Sequence, residues 1–411
     1  MIERSSFVWW NSITGPNSLL QAITSALLEV KSVVIYVPDD LPWRKQMRSS
    51  LEGMLRESTQ NLVFDYIDCE LECQTDSKGN LDIAGFLFER YSTPSVKNGY
   101  RKSSGKSVQQ YMQEHHVLGN AIIWVKGMTN EQVKSWFDFC KAYKPKNTND
   151  GLFVLEAYLP NPLVSVPSSM SEISYRDHVS LYDALLFNYM IVSEWQDDPS
   201  WLQYVATAST NLCVHDVELS CSLIEECNFK ADDVIDALRS LATEEDYGKR
   251  YAADNLEDDH PFAMIRSGRD ESMAHALWQA QLQVVFPLIE MERLSLISLR
   301  KRELEIAIAE KHFDPQTGEI GKLEYCGNEI TSPLDLELGT LRFMTHRWFA
   351  DDHEKRYFSL PDYEDRERLL LLRNMRNKIA HMNVCSIEEI VSFFEKHPYS
   401  WHLPSEHEFD D

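Results

Sequence analysis

Short apolar runs rich in β-branched and aromatic residues punctuate the first 165 residues, at Phe7–Trp10, Ser32–Val37, Leu62–Ile67, Ala121–Val125 and Leu152–Leu155. Helix-like stretches lie between them, at Ser18–Val30, Trp43–Glu57 and Asn130–Tyr143. Strand and helix signals that alternate in this way predict an α/β region over residues 1–165, with a parallel sheet covered by helices on both faces. Lys78–Lys106 breaks the alternation with Gly, Ser, Pro and Lys, and within it Thr93–Lys106 is expected to be a mobile loop.

The Pro- and Ser-rich stretch Pro160–Ser171 reads as a boundary, and the pattern beyond it is helical. Pieces near Ser180–Ser193, Trp201–Ala208, Val214–Cys227 and Ala231–Ala242 suggest a helical, lid-like middle domain over 172–260, with the acidic run Asp254–Asp259 as a second linker. The region 268–398 is expected to be an all-α domain. It opens with a helical pattern over Glu271–Lys311 that carries Pro287, where a kink or break is expected. An irregular Gly-bearing stretch, Phe313–Thr331, precedes helices predicted at Leu334–Phe349, Asp362–Ala380 and Ser386–Lys396. The end of the chain, polar and acidic from His397 and set apart as a tail over 399–411, is expected to be loose. There is no internal repeat.

Length and charge narrow the function classes. A chain of 411 residues has room for two or three domains with cores of their own. Its formal charge of −25 argues against a broad phosphate-binding surface, though not against a small basic site. No apolar run approaches the length of a membrane span, and MIERSSFVWW lacks the pattern of a secretory signal, so a cytoplasmic protein is expected. Eight scattered cysteines fit reduced thiols better than a disulfide scaffold. Cys69-x-x-x-Cys73 has no second pair at zinc spacing, and no cofactor or metal is expected.

The chemically informative segment is Asp365–His381, DRERLLLLRNMRNKIAH. On a helix, Arg368, Leu371, Leu372, Met375, Ile379 and Met382 share one face, apolar apart from Arg368. The opposite face collects Arg373, Asn377, Ala380 and His381, with Arg376 at its edge. Arg373 and Asn377, and Asn377 and His381, are i,i+4 neighbours. Five cations, Arg366, Arg368, Arg373, Arg376 and Lys378, gather here in an otherwise acidic chain. The plain reading is the solvated side of an amphipathic helix, its cations paired with Glu364 and Glu367.

Arg376-Asn377-Lys378-Ile379-Ala380-His381 resembles the R-N-x-x-x-H motif of HEPN domains, all-α bundles found widely in prokaryotic defence and toxin–antitoxin systems. Pro333–Leu341, PLDLELGTL, resembles the helix that precedes the motif in that family, and Asn383–Phe394 its closing helix. The resemblance covers about residues 270–396. It implies a metal-independent endoribonuclease working as a homodimer on RNA, with Arg376 and His381 as the catalytic pair and Asn377 assisting. Arg373 and Lys378 are placed to hold substrate phosphate, and Ala380 to let two helices approach. Such activity implies antiphage or toxin control by the other domains or by a regulatory protein partner. The alternative is a non-catalytic HEPN adaptor, so the enzymatic reading stays open here.

The start of the chain resembles a P-loop nucleotidase of the AAA or STAND type in its predicted strand–loop–helix, Phe7–Trp10, Asn11–Asn17 and Ser18–Val30. The chemistry of that family is missing. Pro16-Asn17-Ser18 replaces the glycines and lysine, and Ala121–Gly127 carries Lys126 where a magnesium-binding acid belongs. A second candidate, Gly99–Ser107, has five residues between its glycines and follows no strand. A degenerate P-loop-like domain, a pseudo-ATPase used for sensing or assembly, is the expectation.

Overall fold

The computed structural model describes residues 2–38, 40–59, 61–73, 81–100, 105–147, 150–158, 165–244, 247–248, 251–252, 256–310, 312–313, 320–345, 348–350, 353–355 and 358–402. The chain divides into two compact units. The first comprises Met1–Phe187, Val214–Cys221 and Ala253–Glu257, and the second Asn188–Cys213, Ser222–Ala252 and Asp258–Asp411.

The first unit is built on five parallel strands, β1 (Ser32–Val37), β2 (Val63–Asp68), β3 (Ala121–Lys126), β4 (Leu152–Tyr158) and β5 (Met170–Ser174). Their order across the sheet is β2-β3-β4-β1-β5. Ile35 stands opposite Glu156 on one side and Ile173 on the other, and Tyr66 opposite Trp124. β1 is buried along its whole length, and β3 and β4 nearly so. Strands covered on both faces must be apolar at successive positions, which is why these three stand out as uninterrupted runs. Helix Asn130–Ala142 is fixed at its start by a reciprocal capping box between Thr129 and Gln132. It lays Trp136, Phe137 and Phe139 into the core with Phe153.

Three expectations for this unit need correction. Phe7–Trp10 is no strand but part of helix Ile2–Ser12, followed at once by helix Thr14–Leu28. Ser5 and Ser6, Trp9 and Trp10, then Ile13 are the buried positions, a spacing of four that a short run of aromatics conceals. Pro16-Asn17-Ser18 therefore lies in the first turns of a helix rather than in a loop after a strand. The segment Lys78–Lys106 contains helices Ile83–Tyr91 and Pro94–Gly99, the first capped by Asp82 accepting from the Gly85 amide at 2.9 Å. Its residues 78–80 and 101–104, the centre of the second glycine-bearing candidate, lie outside the described residues. The boundary stretch Pro160–Ser171 has residues 160–164 outside them too, and its last two residues begin edge strand β5. MSEIS alternates because only one of its faces is buried, so it carries no apolar run.

The second unit is helical, with three small antiparallel ribbons that include Glu324–Tyr325 against Asn328–Glu329. Helix Pro199–Cys213 packs on helix Asp270–Ala280 and shares an aromatic cluster with the closing helix Ile387–Glu395, where Trp201 meets Phe394 edge-on at 5.3 Å. Pro287 does not break the long helical pattern. A π-helical turn, Gln281–Val285, leads without interruption into helix Phe286–Leu299, and this local widening of the helix falls just before Pro287, the residue that has no N–H to give. The break comes instead at Arg300, and helix Lys301–Ala309 follows. The helix expected over Leu334–Phe349 is shorter, a 3-10 turn at Pro333–Asp335 and a helix at Leu338–Met344, with Trp348–Ala350 a strand.

The end of the chain is also tighter than expected as far as residue 402. Tyr399 and Trp401 are buried, the His397 side chain is 7% exposed, and residues 403–411 lie outside the described residues. All eight cysteines are free thiols. No helix among the described residues is long and apolar enough to cross a membrane.

Candidate functional site

The R-N-x-x-x-H segment ends a helix held firmly from below. Helix Tyr363–Ala380 begins where the Asp362 carboxylate accepts from the Glu364 amide at 2.7 Å, with Glu364 and Asp365 favourable at the positive end of the helix dipole. Leu369, Leu372, Met375 and Ile379 are fully buried, each side chain stabilising the fold by about 1.5–3 kcal/mol. Leu371 is only half-buried, and Met382, assigned to this face by its spacing, is 61% exposed because the helix has already ended.

The termination is a Schellman motif. The Asn383 amide donates to Lys378 O at 2.8 Å and the Met382 amide to Ile379 O at 3.1 Å. Met382 takes the left-handed conformation, φ 60°, that glycine normally supplies at this position. Trp278 Nε1 from helix Asp270–Ala280 donates to Ile379 O at 2.7 Å, tying a terminal carbonyl of the motif helix to a neighbour. His275 stacks on that indole with ring centres 4.9 Å apart.

Above this base, the predicted site residues divide into two groups. His381 is the C-cap of the helix and is exposed. Arg373 and Asn377 are half-buried, and no hydrogen bond or ion pair engages the side chains of Arg373, Asn377 or His381 among the described residues. Arg376 reaches one carboxylate, Glu337, at 3.4 Å, with Glu337 66% exposed. Glu337 immediately precedes helix Leu338–Met344, which packs on the motif helix. Lys378 is committed elsewhere. Its Nζ sits 2.7 Å from both oxygens of Glu389, and this hydrogen-bonded pairing raises its pKa. Glu389 also accepts from the Ser386 amide, so Lys378 joins the motif helix to the start of the closing helix. It borders a cavity of about 360 Å³ lined also by Tyr204, Gln281, Cys385 and Ser386.

The other two cations of the cluster are structural. Arg366 donates to the carbonyls of Leu360 and Pro361 at 2.6 Å each. Arg368 is sealed in the core, where Nε and Nη2 grip Glu292 at 2.9 and 2.7 Å, Nη1 donates to Phe393 O at 3.0 Å, and the guanidinium lies 4.7 Å from the Phe393 ring centre. His397 Nδ1 completes the group at 2.7 Å from Glu292. Burial pushes the Glu292 carboxyl up, but the hydrogen bonds and charges of His397 and Arg368 outweigh it and hold the pKa below the usual carboxylate range. A signal existed for this pair, since Arg368 and Glu292 each fall on the buried face of an amphipathic helix. A charge at such a position needs a buried partner.

In the first unit, Glu156 near the end of β4 is 3% exposed and held by Arg44, by Arg48 at 3.1 Å and by Trp124 Nε1 at 2.9 Å. Arg44 opens helix Arg44–Ser58, immediately after the loop that leaves β1, and also donates to Pro38 O at 2.9 Å. Lys126 at the end of β3 pairs with Asp68 at 2.5 Å. Comparison with known proteins finds no family model that matches this chain and no curated protein that matches its sequence.

Proposed function

We propose that the second unit contains a HEPN-like helical bundle that cleaves RNA as a metal-independent homodimer, in an effector or regulator of a prokaryotic antiphage or toxin–antitoxin system. One observation carries this reading. At the end of a helix whose buried face is packed and whose carbonyls at Asn377, Lys378 and Ile379 are bonded, the side chains of Asn377 and His381 have no partner among the described residues, beside Arg376, whose ion pair with Glu337 is exposed. Polar groups so arranged suit a ligand from outside the protomer. In cleavage by the adjacent 2′-hydroxyl, a neutral His381 takes the 2′-proton as the 2′-oxygen bonds to phosphorus. The P–O5′ bond breaks as a protonated His381 of a second copy delivers a proton to the 5′-oxygen, leaving a 2′,3′-cyclic phosphate and a 5′-hydroxyl. Arg376, with Arg373 beside it, opposes the charge that builds on the phosphoryl oxygens, and Asn377 orients the imidazole or the phosphate. Ala380, exposed at the rim, leaves room for the second helix.

The test is to incubate the purified full chain with total RNA in EDTA beside His381→Ala. Cleavage by wild type and at least a ~100-fold loss in the variant are expected, with the melting temperature almost unchanged because the ring is exposed. Cleavage retained in His381→Ala would overturn the assignment. If wild type is inactive and Arg376→Ala changes the oligomeric state, the bundle is the adaptor of the alternative reading.

For the first unit, the parallel order with β1 between β4 and β5 supports the resemblance to AAA and STAND nucleotidases. Ligands of open α/β sheets bind beyond the carboxyl ends of the strands, here beside the loop that follows β1. That loop runs Pro38–Trp43 without a glycine, and Arg44 beyond it is already bound to Glu156. We read the unit as a non-hydrolysing, P-loop-like sensing or assembly domain.

A further inference from the structure

An aromatic pair that the cleavage chemistry does not use stands at the end of the motif helix. Trp278, half-buried on helix Asp270–Ala280, donates its Nε1–H to Ile379 O at 2.7 Å, so the edge of the indole sits at the carboxyl end of helix Tyr363–Ala380. That carbonyl belongs to the residue two before the C-cap His381, and a full helical turn rises only about 5.4 Å. His275, three residues before Trp278, is exposed and stacks its imidazole on the indole, with 4.9 Å between ring centres and 29° between planes. At its edge, His275 Nε2 lies 3.4 Å from Gln279 Nε2. The second face of the imidazole meets no other ring among the described residues. The bond to Ile379 O thus orients the indole, and the indole backs the imidazole.

Charge supplies the second part of the case. Contacts to phosphate provide most of the sequence-independent affinity for a nucleic acid, and this chain carries −25. Of the five cations on the motif helix, Arg366, Arg368 and Lys378 are bound within the protein, and Arg376 has Glu337 at 3.4 Å. A strand lying at His381 therefore gains little from its phosphates, and its bases must supply the hold. Every unpaired base offers a π face, which stacks on an aromatic side chain whatever the sequence. Bases inside an A-form duplex are stacked on one another and out of reach, so a platform of this kind selects single strands.

We propose that His275, backed by Trp278, is a stacking subsite for an unpaired base beside the scissile phosphate, which makes single-stranded RNA the substrate class. This subsite rests on the ribonuclease reading of the same helix end. The test measures binding of a fluorescein-labelled oligoadenylate by anisotropy in EDTA, with the full chain carrying His381→Ala so that the strand stays intact. Adding His275→Ala should weaken binding about 5- to 30-fold, and His275→Tyr, which keeps a ring on the indole, should restore most of the affinity. The same strand made with abasic residues should bind weakly and equally to all three proteins, a pattern that a merely structural role for His275 would not produce. Because the ring is exposed, melting temperatures should stay together. No binding of the oligoadenylate, binding unchanged by His275→Ala, or an equal loss on the base-bearing and abasic strands overturns the subsite. Cleavage of total RNA by the wild-type chain is measured in parallel. Base-dependent binding through His275 in a chain that cleaves nothing would support the subsite and overturn only the ribonuclease reading. Cleavage that depends on His381, with oligoadenylate binding indifferent to His275, would overturn only the subsite.

Discussion

Arg368 and Arg376 stand two turns apart on one helix, and their surroundings differ in every respect that matters. Arg368 is 2% exposed at its side chain, closed between Glu292, the Phe393 carbonyl and two aromatic rings. Arg376 is 30% exposed, with the exposed carboxylate of Glu337 at 3.4 Å. The lower face of the helix has its polar groups bound within the protein, whereas on the upper face the side chains of Arg373, Asn377 and His381 have no partner among the described residues. The difference teaches that charge clustering in a sequence mixes two populations. Some cations brace the fold, and only the remainder are available to an anionic ligand.

Substitutions should separate the two populations. The largest effect is expected from Arg368→Met, which strands Glu292 in the core and costs about 3–5 kcal/mol, read as a lower urea midpoint. Replacing Glu292 and Arg368 together by leucine should recover most of that loss, and a double variant as weak as the single would show that the pair itself stabilises. Acid should weaken the same network. The pKa of Glu292 is depressed in the folded state, so its contribution is present above the unfolded value of about 4.3 and is lost as pH falls through the lower folded value. Urea midpoints from pH 6 to pH 3 should fall less steeply in Glu292→Gln than in wild type.

On the upper face the response should reverse. Arg376→Ala is expected to lower RNA cleavage by about 10²-fold or more while changing stability by less than about 1 kcal/mol, since an exposed pair contributes little. A stability loss comparable to that of Arg368→Met would erase the distinction between the faces. The smallest expected effect is at the helix end, where Met382→Gly relieves a left-handed residue and should stabilise by about 0.4–1 kcal/mol. Cleavage that falls in this variant without loss of stability would mean that the stiff cap positions His381.

Much of the local structure is legible in the sequence. The apolar run Ser32–Val37 predicts β1 with the bounds it has in the structure, because a strand buried on both faces leaves a continuous apolar run. The pattern over Asp362–Ala380 predicts the motif helix, which spans Tyr363–Ala380, because capping and periodicity act within a few residues. Phe7–Trp10 went the other way, since four apolar residues are too few to distinguish a strand from one side of a helix. Edge strand β5 leaves no apolar run in the sequence because an edge needs only alternating burial.

The separation of bracing from available cations was decided by tertiary packing. Arg368 and Glu292 are 76 residues apart, and His397 lies 105 from Glu292. Local periodicity places each on a face of its own helix, but the partner depends on how the helices pack. His381 was legible as a residue type at the end of a helix. Its exposure depends on what covers that end, and in the folded chain Trp278 binds the neighbouring carbonyl and leaves the imidazole outside. Periodicity and capping are short-range and travel with the chain, whereas burial and ion pairing are properties of surfaces that meet only on folding.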